Sequence, residues 1–86
     1  MHPAYIAAGL EMAGYSQAAL ARELKVSPQA VYTVVRGTGR NRRVEQRIAE
    51  LTGLALAELW PQWHCDEPAR GLPPSQIADA LRAAAR

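Results

Sequence analysis

The sequence contains no phenylalanine, one cysteine, and few aromatics, at 6% of its residues. A lone Cys65 cannot close an internal disulfide, so stability rests on a core or a partner. No apolar run approaches the roughly 20 residues that a membrane helix needs. The stretch from Met1 to Gly14 lacks a charged region followed by an apolar one, so no secretory signal is expected. These features point to a cytoplasmic protein. β-branched residues are scarce and alanine is abundant, which favours helix over strand. With 86 residues, the chain has room for one domain and little room for a large enzyme with a deep pocket. Apolar residues make up 49% and charged residues 21%, an ordinary globular composition.

The net charge of +2 hides an uneven distribution. Between Tyr15 and Arg47 lie Arg22, Lys25, Arg36, Arg40, Arg42, Arg43 and Arg47 against Glu23 and Glu45, a local charge of +5. The remainder, with Arg70, Arg82 and Arg86 against six acids, is −3. Four arginines fall within Arg36 to Arg43 with no acid among them. A single arginine would be read as part of a solvated face. Four that close repel one another, and a counter-charge from outside, such as a polyanion, is expected.

Helix signals punctuate the chain. Pro3 suits a first turn, and Ile6, Leu10 and Ala13 repeat at helical spacing up to a Gly14 stop. Ser16 caps a predicted helix from Gln17 to Lys25, with Leu20, Ala21 and Leu24 inward. Ser27-Pro28 starts a third, running to Arg36 and ending at Gly37. Asn41 caps a fourth, Arg42 to Thr52, with Val44, Ile48 and Leu51 inward and Gly53 at its end. A short fifth spans Leu56 to Trp60 before Pro61. Residues 1–63 are thus expected to form one domain. The stretch 64–86 reads as a proline-containing linker, His64 to Pro74, and a short helix, Ser75 to Ala85. That helix is too short to stand alone; it must pack on the body, pair with a second copy, or fray.

Gln17 to Gly37 has the shape of a helix-turn-helix, with two short helices joined by Lys25-Val26-Ser27. Ala21 falls where the two would cross, and its small side chain lets them approach. At about 100° per residue, Val31, Val34 and Val35 form one apolar stripe, with Gln29, Tyr32, Thr33 and Arg36 opposite. An ordinary surface helix would carry lysine and glutamate on that face. Here an amide, a phenol, a hydroxyl and a guanidinium can each bond a base edge or phosphate, and none is acidic.

Gln17-x-x-x-Ala21, Val26-Ser27, Val31 and Arg36-Gly37 follow the pattern of lambda-repressor-like helix-turn-helix domains. His2-Pro3, Ser27-Pro28, Arg47 to Leu54, and Glu58-Leu59-Trp60-Pro61 make residues 2–63 resemble more narrowly the Ner family, small DNA-binding regulators of Mu-like phages and their bacterial relatives. The resemblance implies an all-α, compact five-helix domain, here with a short C-terminal helical extension. It further implies a transcriptional regulator, commonly a repressor, acting on the bacterial nucleoid. Gln17 would hold a phosphate and orient the next helix. Ser27, Gln29, Tyr32 and Thr33 would face the major groove. Pro28 stands where many members of the wider class place a polar DNA contact, which leaves fewer base contacts per half-site. Arg36, Arg40, Arg42 and Arg43 would lie along the backbone, with a salt dependence near −0.9 per phosphate contact.

The other candidates are weaker. His64-Cys65-Asp66 is metal-capable in type, but adjacent residues rarely ligate one ion, and no metal or cofactor is expected. No catalytic set can be assembled, so an enzyme is not expected either. Trp60 is expected to close the core, with Trp63 open to a dimer contact. Domains of this size usually read two half-sites as pairs, so a homodimer on DNA is expected through the Trp60 to Arg86 region. The alternative function is a protein-interaction module, such as an antitoxin or accessory factor, although such a module has no use for the arginine cluster.

Overall fold

Each helix begins where a side chain takes up a backbone N–H that has no partner within the helix. The structure, a computed structural model, describes residues 1–64 and 73–85. It contains α1 (Pro3–Met12), α2 (Gln17–Leu24), α3 (Pro28–Arg36), α4 (Arg42–Thr52), α5 (Leu56–Leu59) and α6 (Gln76–Ala84). Ser16, Ser27 and Ser75 accept from the backbone N–H groups of Ala19, Ala30 and Ala78. Asn41 accepts from those of Arg43 and Val44. The cap of α1 was not legible in the sequence: His2 Nδ1 accepts from the Ala4 N–H at 3.0 Å.

The turn between α2 and α3 also closes in an unexpected way. Lys25 takes the left-handed conformation at φ +57°. This lets the Val26 N–H reach the Ala21 carbonyl at 3.0 Å, and Val26 then packs against the core. A glycine would hold that position without steric cost.

Ile6, Leu10, Leu20, Ala21, Val31, Val34, Val35, Val44, Ile48, Leu54, Leu59 and Trp60 form one core, the expected inward faces apart from half-buried Ala13, Leu24 and Leu51. Trp60 closes it and donates its indole N–H to the Val34 carbonyl at 2.9 Å. That bond keys the end of α5 to the last turn of α3.

Of the three fates open to α6, the structure shows packing on the body. Ala78 and Leu81 are buried, and Ile77 packs beside them. The close approach requires Gly9 in α1, where an added Cβ would lie 2.7 Å from Leu81 Cδ1 and 3.0 Å from Thr52 Cγ2. Polar contacts fix both ends of α6. Ser75 Oγ donates to the Thr52 carbonyl at 2.9 Å. Arg82 forks onto Glu58, with Nε to Oε1 at 2.7 Å and Nη2 to Oε2 at 3.0 Å. The guanidinium holds the Glu58 carboxyl below its ordinary range. The 64–74 stretch read as a linker falls largely outside the described residues, as do Cys65, Asp66, Arg70 and Arg86.

Candidate nucleic-acid interface

The two motif helices are held so that one face of α3 stays open. Ala21 is buried at their crossing, and Val31, Val34 and Val35 turn inward. Gln29, Tyr32 and Arg36 remain exposed on the opposite side. Arg36 Nη1 donates to the Tyr32 hydroxyl at 3.2 Å, and its guanidinium lies 5.6 Å from the ring centroid. The spacing of four residues brings the two onto one face and restricts both before any ligand arrives.

The hydroxyls of the remaining candidate base-contact residues, Thr33 and Ser27, are already engaged within the protein. Thr33 is half-buried; its hydroxyl donates to the Ala30 carbonyl at 3.1 Å, and Gly39 lies against its side chain. The Ser27 hydroxyl is engaged as the cap of α3, at 3.2 Å from the Ala30 N–H. Gln17, a candidate phosphate contact, is half-buried at the first position of α2.

The arginines separate by environment. Arg42 is exposed at the start of α4 and has no ion-pair or hydrogen-bond partner among the described residues. Arg43 is exposed, but its Nη2 donates to the Leu24 carbonyl at 2.9 Å, which ties α4 to the end of α2. Arg40 lies near the buried Glu45, with Nη2 3.6 Å from Oε1, and is stacked over the Trp63 ring at 5.1 Å from its centroid. Glu45 also accepts from the Asn41 N–H at 3.2 Å and sits 2.6 Å from His64 Nε2. Arg40 and Arg42 line a cleft of about 530 Å³ that includes Glu45, Gln46, Leu56 and His64.

Arg47 is spent on structure. It bonds Glu23 through Nε at 2.8 Å, Glu50 through Nη1 at 3.1 Å and the Tyr15 hydroxyl through Nη2 at 3.3 Å. These bonds push Arg47 further towards its charged form and hold Glu23 below the usual carboxylate range. The network braces α2 against α4.

Sequence reasoning placed Gln29, Tyr32 and Arg36 on one face because a helix wheel is periodic. It did not find the Arg40–Trp63 stack or the hold of Arg43 on Leu24, since neither follows from local spacing. The Tyr32–Arg36 pair carried a signal in its interval of four.

The face can do two things chemically. It can offer hydrogen-bond donors and acceptors to base edges from α3, and guanidinium groups to phosphates from its flank. No curated protein and no solved structure matches the chain. A family model described as winged helix-turn-helix DNA-binding matches residues 1–76. Among the described residues there is no strand. The chain belongs to the winged helix-turn-helix DNA-binding family.

Proposed function

We propose that the protein is a sequence-specific duplex-DNA-binding regulator of transcription, a repressor of the Ner-like, lambda-repressor-like kind, with α3 in the major groove. The observation that carries this reading is the open face of α3. Gln29, Tyr32 and Arg36 are exposed together, no acid stands among them, and Arg42, without an ion-pair partner among the described residues, lies at the start of the following helix. Gln29 and Tyr32 read base edges, with Ser27 and Thr33 at their margins. Gln17, Arg36, Arg40, Arg42 and Arg43 follow the backbone.

A homodimer on DNA fits a motif that covers about half a turn of duplex, with half-sites about 34–36 Å apart. A contact through the Trp60 to Arg86 region has exposed Trp63 and the outward side of α6 to use, because Ala78 and Leu81 are already buried in the body.

The test is fluorescence anisotropy of the protein with the DNA upstream of its own coding region and with a scrambled duplex, at low and physiological salt. Preference for the upstream fragment that survives physiological salt is expected. Equal, salt-labile binding to both would refute sequence-specific control at that site. Absence of binding at either salt would refute DNA recognition.

A further inference from the structure

Trp63 is one of two tryptophans and is 40% exposed, on a turn that is nevertheless firmly placed. The backbone N–H groups of Trp63 and His64 both donate to the Trp60 carbonyl, at 3.0 and 3.1 Å. Trp60 is itself buried and bonded to the last turn of α3. Gln62 lies against Gly37, its Nε2 only 2.8 Å from where a Cβ on that glycine would stand. The turn formed by residues 61–64 is therefore fixed beside the C-terminal end of α3.

Arg40 stacks on this indole, and only its Nη2 has a hydrogen-bond partner among the described residues, His64 Nε2 at 3.4 Å. The other guanidinium donors remain available. An exposed arginine normally loses rotamer freedom when it grips a phosphate. An indole platform removes part of that loss beforehand and leaves the planar fork able to make bidentate contacts. Exposed Arg42 lines the same cleft, and the nearby carboxylate, Glu45, is buried. The charge suits an anionic partner.

We propose that Trp63 joins the DNA interface as the platform for the Arg40 backbone contact, past the C-terminal end of α3. Arg40 meets a phosphate; Trp63 is the positioning residue that orients it and packs against the adjoining deoxyribose. The inference rests on the DNA-binding reading above. It concerns sequence-independent contacts, so a generic duplex is a sufficient probe.

The experiment titrates the full chain with a mixed-sequence duplex of about 24 base pairs at low salt, spanning about two half-sites. Anisotropy reports binding, and acrylamide quenching of tryptophan fluorescence reports exposure of Trp63, with buried Trp60 as an internal background. Saturation with DNA is expected to protect Trp63 from the quencher. Trp63→Ala is expected to weaken binding about two- to fivefold, the range of an exposed cation–π contact. Arg40→Ala should lower the salt slope by about 0.9, whereas Trp63→Ala should leave it nearly unchanged. The double variant should lose less than the two single losses combined, because Trp63 acts through Arg40. If anisotropy rises while Trp63 remains as open to acrylamide as in the free protein, the inference is overturned and the DNA-binding reading stands. If anisotropy does not rise, both fall. The quenching arm uses the unsubstituted chain, so it decides the question even if a variant folds poorly.

Discussion

Replacement of Leu81 by alanine tests whether α6 belongs to the fold. Leu81 is 3% exposed, and its Cδ1 lies over Gly9 of α1. Buried leucine-to-alanine changes cost about 2–5 kcal/mol, the spread being set by how far the site collapses. α6 is a peripheral helix of nine residues, so partial collapse places the cost near the lower end, about 2–3 kcal/mol. In a domain of this size, each kcal/mol moves Tm by roughly 4–8 °C, so Tm should fall by about 10–20 °C. Circular dichroism at a helical wavelength during heating, at two protein concentrations, is the assay. The fall should be the same at both, because the partner of Leu81 is in its own chain. A Tm within about 2 °C of the parent, well under the shift from 1 kcal/mol, would refute the packing of α6 on α1. So would a loss confined to the higher concentration, which would mean that α6 pairs with a second copy.

Arg42→Ala should weaken binding to every duplex and lower the salt slope by about 0.9 without moving Tm, since its side chain has no partner among the described residues. Arg43→Ala should lower Tm as well, because it removes the bond to the Leu24 carbonyl; denaturation and salt titrations on both variants separate the two effects. Gln29→Ala should relax preference at one base position at a cost of about 1–3 kcal/mol on the preferred site; an equal loss on every sequence would show that α3 is misoriented in the proposed complex. Glu58 is held below its ordinary value of 4.5 chiefly by Arg82. Its contribution is therefore present above about pH 4.5 and is lost as pH falls through the depressed folded value. The Tm of the parent should drop more steeply than that of Glu58→Gln in this acid window, with the two curves converging at the lowest pH.

The helices were legible because their signals are local. Ser16, Ser27 and Asn41 each name a start, Gly37 and Gly53 each name a stop, and the valines of α3 repeat with the period of the helix. Lys25 gave no such signal, since a non-glycine residue in the left-handed region is chosen by the packing of Val26 behind it. The berth of α6 was equally hidden. Gly9 reads as an ordinary weak spot inside a helix until Leu81, 72 positions further along, is brought against it.

Charge shows the same division between what sequence can and cannot supply. Counting placed +5 in the middle of the chain, but a count weights every arginine alike. In the folded protein, Arg47 is consumed by Glu23 and Glu50 across a separation of 24 residues and one of three, and it braces α2 against α4. Arg43 holds a carbonyl, and Arg40 is shared between Glu45 and an indole. The cations left without an ion-pair partner among the described residues include Arg22, Lys25, Arg36 and Arg42, all exposed. Part of the basic segment, Arg47 above all, thus braces the scaffold, while its exposed arginines without an ion-pair partner among the described residues supply the field. An interface made this way keeps its positive charge where a phosphate can reach it. The same residue type further along α4, Arg47, ties that helix to Glu23 of α2, the first helix of the motif.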